Sequence, residues 1–369
     1  MKLLRLLFVI SLFSAGRAGA QVVYTDSLPR LEGNWVQQLY AAKFNVNDPR
    51  IRYPKFPNFI RKIYNWGDLV FNSYDPNYVI GTGKNWKASL KNYDWMQSYV
   101  YDFAMLKDNK VALRTGVYSD LGLSLNYMGL SLGYTWNVNK WFHGENDKRD
   151  SFDFSFTTAL FSAELRASSN STHGRLSRIG VESAEFERWR KNNTIPVSQK
   201  SFNVNAYYFF NHRQYSQAAA YSFSKYQLKS AGSWLLGIEY NRQSIDINFS
   251  VMPSELLAEV PDLPLSAHYN YIDYNLIYGY AYNFVLPNHW LINLTVLPSV
   301  GYKRMPYQQH QTTRETLSLG SIGRTSFTYS HDTFFASVQL HLDGNFVLTS
   351  KYAFFNSTEA LTAVVGVRF

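Results

Sequence analysis

Residues 270–284 read NYIDYNLIYGYAYNF, and this stretch decides the fold. Alternate side chains of a β-strand point to opposite faces of the sheet. One face here is a continuous apolar stripe of Ile272, Tyr274, Leu276, Tyr278, Tyr280, Tyr282 and Phe284. The other face carries Asp273, Asn275, Ile277, Gly279, Ala281 and Asn283. One lipid-like face and one wet face are typical of a strand in a transmembrane β-barrel.

The same alternation recurs in residues 289–302, 152–160 and 334–342. A soluble secreted β-sandwich also alternates, with its apolar face turned to a core. These runs reach about 10 to 16 residues, whereas a usual strand has about 5 to 6 and a membrane-crossing strand about 9 to 11. The lengths favour the barrel, and the sandwich is kept as an alternative.

The C-terminus is itself an alternating strand. Leu361, Ala363, Val365, Val367 and Phe369 share its apolar face. A terminal Phe on such a strand resembles the signal by which the outer-membrane barrel assembly machinery recognises its substrates. We therefore expect this machinery and outer-membrane lipids as partners of the chain.

The N-terminus has the order of a secretory signal peptide. Lys2 and Arg5 accompany an apolar run from Leu3 to Phe13, and the small residues Ala18, Gly19 and Ala20 follow. The run is too short for a spanning helix, which needs about 20 residues. We expect cleavage after Ala20 and a location in the bacterial outer membrane.

Three regions follow along the chain. Residues 1–20 are the signal peptide, residues 21–83 a periplasmic or plug segment with weak helical patterns at 31–43 and 59–70, and residues 84–369 the barrel. The predicted fold is therefore all-β, an antiparallel up-and-down barrel of about 12 strands, within a range of 10 to 14, with a short and partly helical N-terminal extension.

Composition excludes several function classes. The chain contains 28 Tyr, 26 Phe and 9 Trp but no Cys, and its mean hydropathy is only -0.26. Aromatic girdles combined with a polar lumen explain both values. Disulfides and thiolate chemistry are excluded. The net charge is +9, but no basic run or nucleic-acid motif accompanies it, so we expect no nucleic-acid partner.

Loop lengths predict the topology if Phe369 ends in the periplasm, where turns are short. The predicted periplasmic turns are Asn211–Arg213, Asn241–Gln243, Leu286–Asn288 and Asp343–Gly344. The predicted external segments are Ala167–Lys200, Pro253–His268 and Lys303–Arg324.

Two stretches resemble a known family. Residues Gln227 to Ser233 read QLKSAGS and are followed by Trp234–Gly237, after Tyr208–Asn211 and a predicted strand at 216–224. This order is similar to the outer-membrane β-barrel proteins common in Bacteroidota that are known as domain of unknown function 4421. Weaker matches are Asp75–Val79 and the segments 121–125 and 129–133. The resemblance, over about 75–369, implies an outer-membrane barrel and no catalytic residues.

Within the family-like stretch, the residues Gln227, Ser230, Ala231, Gly232 and Ser233 predict a tight turn between two strands. The orientation given above places this turn on the external side. It is interpreted as structural, with a binding loop as the alternative.

Candidate lumen charges follow from the predicted faces. They are Arg114, Asp153, Glu239, Asp246, Asp273, His341, Lys351 and Arg368. Such charges either pair to fill the interior or form a polar path that selects solutes. The solute of such a path stays unknown at this level.

Enzymatic chemistry has little support in the sequence. Ser330, His331 and Asp332 supply the residue types of a hydrolytic triad, but His331 lies on the opposite face of the strand from the other two. No metal-ligand spacing, cofactor motif or phosphate loop is recognised. The sequence predicts a non-enzymatic pore or a structural or binding component, with a barrel-embedded lipid or peptide hydrolase as the alternative.

Overall fold

The computed structural model describes residues 31–42, 45–103, 110–127, 130–138, 148–178, 184–258, 265–305, 314–348 and 352–369. The chain divides into two compact units, Met1–Leu69 and Val70–Phe369. The predicted signal peptide and its cleavage site after Ala20 lie outside the described residues.

The first unit contains a short helix, α1 (Trp35–Ala41). Asn34 caps it, since its side chain accepts hydrogen bonds from the backbone N–H groups of Val36 and Gln37, both at 3.0 Å. The Gln37 side chain accepts in return from the Asn34 N–H, which completes a capping box. Helix α2 (Lys55–Asn72) begins in the same unit. No helix among the described residues has the length and apolar character needed to cross a bilayer.

The second unit is built from long β-strands. Their bounds are β1 (Val79–Gly81), β2 (Trp86–Phe103), β3 (Lys110–Thr115), β4 (Tyr118–Tyr127), β5 (Leu130–Asn137), β6 (Lys148–Thr157), β7 (Phe161–Arg178), β8 (Ile195–Phe209), β9 (Lys225–Gln227), β10 (Ala231–Asn248), β11 (Ser266–Leu286), β12 (Trp290–Met305), β13 (Arg314–His331), β14 (Phe334–Leu348) and β15 (Tyr352–Arg368).

Twelve of these strands close into a ring of antiparallel neighbours. The order is β2, β4, β5, β6, β7, β8, β10, β11, β12, β13, β14 and β15, and β15 pairs with β2. Apart from the small strands β3 and β9, neighbours in the ring are successive along the chain. The predicted up-and-down barrel of about 12 strands is confirmed.

Strand β3 narrows one end of the ring. Strand β2 pairs with β4 through Trp86–Trp95 and then with β3 through Ser98–Asp102. On its other side β3 pairs with β7, next to Gly174. At this end β3 therefore lies between β2 and β7, in the place that β4, β5 and β6 occupy elsewhere in the ring, because those three strands end before this level.

The register fixes the tilt of the strands. A row of paired residues that starts at Trp86 passes once around the ring and returns to β2 at Val100, a shift of 14 residues over 12 strands. A shear of this size tilts strands by about 35–45° to the barrel axis. Each step to the next strand thus raises the row by slightly more than one residue, which allows heights on different strands to be compared.

The outer face of the wall is an apolar belt between two aromatic girdles. One girdle, with Trp86, Trp290, Tyr329, Phe334 and Phe369, marks the end where Phe369 lies, here named the terminal end. At the opposite end, named the loop end, the girdle on β8 to β12 consists of Phe202, Tyr240, Tyr274 and Tyr302. Between the girdles, exposed residues such as Leu276, Val296 and Leu340 face outward.

Two predicted turns are wrong. Asn241–Gln243 lies within β10, and Asp343–Gly344 lies within β14. In β10, Asn241 and Gln243 point inward to hydrogen-bond partners, so consecutive polar residues need no turn. In β14, Gly344 faces outward, and the ring of Phe355 on β15 lies against it.

The predicted turn at Leu286–Asn288 is present between β11 and β12. Asn288 and His289 both have positive φ, 59° and 68°. Successive positive φ values are those of the two-residue turns that suit the twist of a hairpin. Two of the predicted long segments, Ala167–Lys200 and Lys303–Arg324, are shorter than expected, because β7 and β8 extend into the first and β12 and β13 extend into the second.

Candidate functional site: a sealed polar lumen

The chain between β8 and β10 folds back into the barrel and fills its terminal end. This segment, 211–229, is named the terminal seal. It contains a single π-helical turn, Ala218–Ser222, and Tyr215, Ala220 and Phe223 are almost completely buried. The seal can lie inside the lumen because polar side chains of the wall form hydrogen bonds with it.

Asparagine side chains of the wall hold the terminal seal. Asn293 donates to the Tyr215 hydroxyl at 3.2 Å and accepts from the Tyr221 hydroxyl at 2.8 Å. Asn283 donates to the Ser216 carbonyl at 2.9 Å. The amide groups thus replace the water that these buried groups would otherwise need.

The family-like residues form the base of this seal. The Gln227 side chain donates to the carbonyl of Gln214 at 2.6 Å and accepts from the Ser216 N–H at 3.0 Å. Strand β9, which ends at Gln227, pairs with β1, whose first residue Val79 ends the weaker matching stretch at 75–79. The two stretches that carry the resemblance therefore meet in one structure.

The predicted external position of the family-like turn is wrong. Ser230, Ala231, Gly232 and Ser233 lie at the terminal end, because one seal segment joins β8 to β10 and no strand crosses at 216–224. Asn211 binds here through its side chain to the Gly232 carbonyl, 2.8 Å, and through its N–H to Ser233 Oγ, 2.9 Å. A Cβ at Gly232 would lie 2.2 Å from the Tyr280 hydroxyl, so glycine allows this close approach.

A polar chamber lies at the middle of the lumen. Arg324 on β13 reaches across the barrel to Glu164 on β7 with two hydrogen bonds of 2.8 and 2.7 Å. Beside them, Arg166 pairs with Asp153 at 2.6 Å. The side chains of Arg166, Asp153 and Glu164 keep 41%, 33% and 26% of their surface accessible although they face inward. These inward-facing side chains therefore border open space in the lumen, named here the central chamber.

Further polar groups line the central chamber. His341 and Asp343 project into it from the inner face of β14 and keep some accessible surface. Glu239 accepts hydrogen bonds from Asn203, at 3.0 Å, and Asn275, at 2.9 Å. Arg324 Nε, Ser326 Oγ and the Oδ1 atoms of Asn205 and Asn275 are buried and form no hydrogen bond within the described part of the chain. These four atoms are therefore buried polar groups without a partner in the described structure.

A dense lattice closes the chamber toward the loop end. Lys303 and Asp273 pair at 2.6 Å, and both side chains are completely buried. Asp273 also accepts hydrogen bonds from Asn241, Asn345 and Ser318. Similar bonds link the Tyr271 hydroxyl with Gln243 and Asn356 across the lumen.

An apolar cluster covers this lattice at the loop end. Helix α3 (Ala184–Asn192) contributes Phe186, and the short helix α4 (Ser254–Ala258) contributes Leu256. They pack with Phe249, which lies between β10 and α4, and with wall residues such as Ile245 and Phe354. Within the described part of the chain, packed side chains therefore cover both ends of the chamber.

The candidate lumen charges divide into three groups. Asp153, Glu239, Asp273, His341 and Arg368 face inward. Arg114 and Asp246 face the outside of the wall, contrary to expectation: Arg114 pairs with Glu359, and Asp246 pairs with His268. Because β10 is continuous, Asp246 faces outward together with the other even-numbered residues of the strand. The expected turn at Asn241–Gln243 would have started a new strand, in which Asp246 could face inward. Lys351 lies outside the described residues.

Several chamber residues were missed by the sequence reasoning. The sequence pattern places Arg324 in an external segment and Asp343 in a turn, and it does not single out Glu164 and Arg166. The available signal was the period-two pattern itself: Glu164 and Arg166 alternate with apolar residues just before the predicted segment Ala167–Lys200, and a slightly longer β13 brings Arg324 onto the polar face.

The five predicted residues of the C-terminal signal share the outer face of β15. Leu361, Val365, Val367 and Phe369 are exposed there, as alternation requires. Trp86 and Phe369 exchange two backbone hydrogen bonds, of 3.1 and 3.0 Å, at the seam where the ring closes.

The triad-like residues do not converge. Ser330 faces inward and accepts from Arg368 Nη2 at 2.5 Å, whereas His331 is exposed beside His289, with ring centroids 4.3 Å apart. Asp332 lies in the following turn, where the Lys84 ammonium at 3.1 Å lowers the pKa of its carboxyl. Among the described residues, no group of three or more His, Asp or Glu side chains could hold a metal ion.

Comparison with known proteins identifies the family. The model of a domain of unknown function, DUF4421, matches residues 73–369. The chain belongs to this family. The DUF4421 match covers the terminal seal, the barrel wall and every residue of the central chamber. No curated protein matches the chain.

Solved structures that resemble this DUF4421 barrel differ widely in sequence. The toluene transporter TodX of Pseudomonas putida has 8% identity and a TM-score of 0.26, over 77% of this chain and 90% of that one. The outer-membrane protease OmpT of Escherichia coli has 8% identity and a TM-score of 0.33, over 79% of this chain and 98% of that one. The translocator domain of NalP from Neisseria meningitidis has 10% identity and a TM-score of 0.33, over 90% of this chain and 99% of that one. The fold assignment rests on the closed strand ring of the DUF4421 chain itself.

Proposed function

We propose that this protein is an integral outer-membrane β-barrel that is closed at rest and serves as a structural or binding component rather than an open diffusion pore or an enzyme. The terminal end, with Phe369, faces the periplasm, and the loop end faces outward. The signal-like N-terminus and the C-terminal strand support export and assembly. The apolar belt between aromatic girdles supports insertion in a bilayer.

One observation carries the closed state. The lumen is blocked twice, by the terminal seal on one side of the chamber and by the buried Lys303–Asp273 lattice on the other. An aqueous diffusion pore needs a continuous polar path, and barrels near 12 strands lie between filled and open cases. In this barrel, the inward-facing side chains and the terminal seal fill the lumen at the two blocked levels.

Conductance of the refolded mature protein in planar bilayers tests the closed state. Insertion is first verified by protection of the barrel from added protease. We expect no steady current from the intact chain. Stable open steps from the intact chain would contradict the proposal.

A gated path for small polar solutes is a second candidate, and the accessible charged side chains of the central chamber favour it. The terminal seal connects β8 to β10 and is not a strand of the wall. It can therefore move out of the lumen without disrupting the pairing of the strands. Residues 212–229 would be replaced by a short Gly-Ser link, which fits because Asn211 already contacts Gly232. The same link would be combined with Lys303→Ala and Asp273→Ala, which open the lattice, and with Phe186→Ala and Leu256→Ala, which loosen the apolar cluster that covers it.

Current from the combined variant would support the gated path. Adding Glu164→Gln should then shift its ion selectivity toward anions, since one negative charge leaves the path. Silence despite confirmed insertion would remove the gated path and leave the closed structural or binding role.

A further inference from the structure

Three cations stand outside the wall immediately beyond the loop-end girdle. Lys200, Arg242 and Arg304 are exposed, and their side chains form no ion pair or hydrogen bond within the described part of the chain. They project from β8, β10 and β12. Exposed cations are common on protein surfaces, so the function of these three depends on their position relative to the apolar belt.

The girdle below them is continuous. Tyr240, Tyr274 and Tyr302 are direct neighbours in one row of the sheet. The rings of Tyr240 and Tyr274 contact edge to face at 5.4 Å, and the ring of Phe202 lies 6.2 Å from that of Tyr240. Tyrosine rings of this kind lie at the level of lipid head groups.

The cations form the next layer outward. Arg242 and Arg304 both pair with Ile272, so they flank it in a single row, two strands apart. Strands are about 4.8 Å apart, which puts their Cα atoms about 10 Å from each other. Lys200 lies on β8, opposite Ser244 of β10, one outward position above Arg242. With the tilt given by the register, Lys200 and Arg242 lie at nearly one height, and Arg304 lies slightly more than two residues farther toward the loop end.

The outward carboxylates on the opposite side of the wall do not lie at this height. In the register, Glu359 on β15 and Asp94 on β2 lie nearer the terminal end than the three cations, and Glu359 is already paired with Arg114. These carboxylates therefore do not belong to the layer that holds the cations. Among the described residues, Glu315 on β13 pairs in register with Arg304, and farther outward Asp246 is paired with His268.

We propose that Lys200, Arg242 and Arg304 form a binding site for the phosphorylated head group of an outer-leaflet lipid. Guanidinium groups bind phosphate oxygens in bidentate fashion, and lysine adds a point charge. The lipid's acyl chains would lie on the apolar belt below the tyrosines, an arrangement that free phosphate cannot reproduce. This inference rests on the proposed membrane location.

The test compares binding of lipid A, a diphosphorylated glycolipid, by native mass spectrometry of the detergent-solubilised protein. The variant Lys200→Gln/Arg242→Gln/Arg304→Gln should bind about a hundredfold more weakly, since each cation near an anionic head group contributes about fivefold. Arg52→Gln/Lys55→Gln/Lys62→Gln removes the same charge from the first unit and should leave binding unchanged. Glu315→Gln should strengthen it, because a competing carboxylate is lost.

Two further arms separate the possible failures. Competition by inorganic phosphate should not displace lipid A, and displacement would show an ordinary anion site instead. Insertion into phosphatidylcholine vesicles is measured for every variant. Failure of the intact chain to insert would remove the membrane proposal, whereas insertion with equal lipid A binding by the triple variant would overturn the lipid site alone.

Discussion

The guanidinium Nε of Arg368 donates a hydrogen bond of 2.8 Å to the backbone carbonyl of Phe223. This bond joins the last residue of the C-terminal strand to the terminal seal. Phe223 has a φ of 55°, an unusual value for a bulky residue, and its ring stacks on Phe335 with centroids 4.5 Å apart. Arg368 also donates to the Asp332 carbonyl and to Ser330, so one side chain connects the seal, a turn and the wall.

Replacement of Arg368 by Met should loosen the terminal seal. Three acceptors, two of them buried, would lose their donor, and we expect the free energy of unfolding to fall by about 2–4 kcal/mol. Trypsin cleavage after Lys225, within the seal, should become faster. Arg114→Met is the matched control, since its guanidinium lies half exposed on the outer wall, and it should change stability by less than about 0.5 kcal/mol. Equal behaviour of the two variants would contradict an anchoring role of Arg368.

Lys303→Met tests the lattice at the loop end. Asp273 would keep its bonds from Asn241, Asn345 and Ser318 but lose its only cation at contact distance in the described structure. An unpaired buried carboxylate costs about 3–5 kcal/mol. Adding Asp273→Asn should restore much of that loss, because the second change removes the uncompensated charge. Urea unfolding of both variants measures this, and a double variant no more stable than Lys303→Met would argue against charge as the cause.

The Arg324–Glu164 pair can be measured with a double-mutant cycle. Single changes to Gln should each destabilise the barrel by about 1.5–3 kcal/mol, because a bidentate charged hydrogen bond is lost and the partner stays in the lumen. The double variant should be less destabilised than the sum, with a coupling of about 1 kcal/mol or more. Strict additivity would mean that water in the chamber screens the pair completely.

Sequence periodicity predicted the wall better than the lumen, for a physical reason. The outward faces of Ile272–Phe284 and Leu361–Phe369 are dictated by lipid, which admits few residue types, so their pattern is visible locally. Arg324 and Glu164 meet across the barrel from positions 160 residues apart, and only ring closure brings them together. The sequence predicts a strand at residues 216–224 of the terminal seal, whereas burial of this stretch by the wall is a tertiary effect that no local pattern contains.

The position of the belt in the bilayer can be tested on Leu340, which faces outward midway between the girdles. Leu340→Arg would place a charge at the bilayer midplane, and we expect a loss of about 2–4 kcal/mol in unfolding from phosphatidylcholine vesicles. Val251→Arg is the control, because Val251 is equally exposed but lies at the loop end beyond the belt. In detergent-free vesicles the control should unfold as the intact protein does. A similar cost at both positions would mean that lipid does not surround Leu340, and the assignment of the apolar belt to the bilayer would be lost.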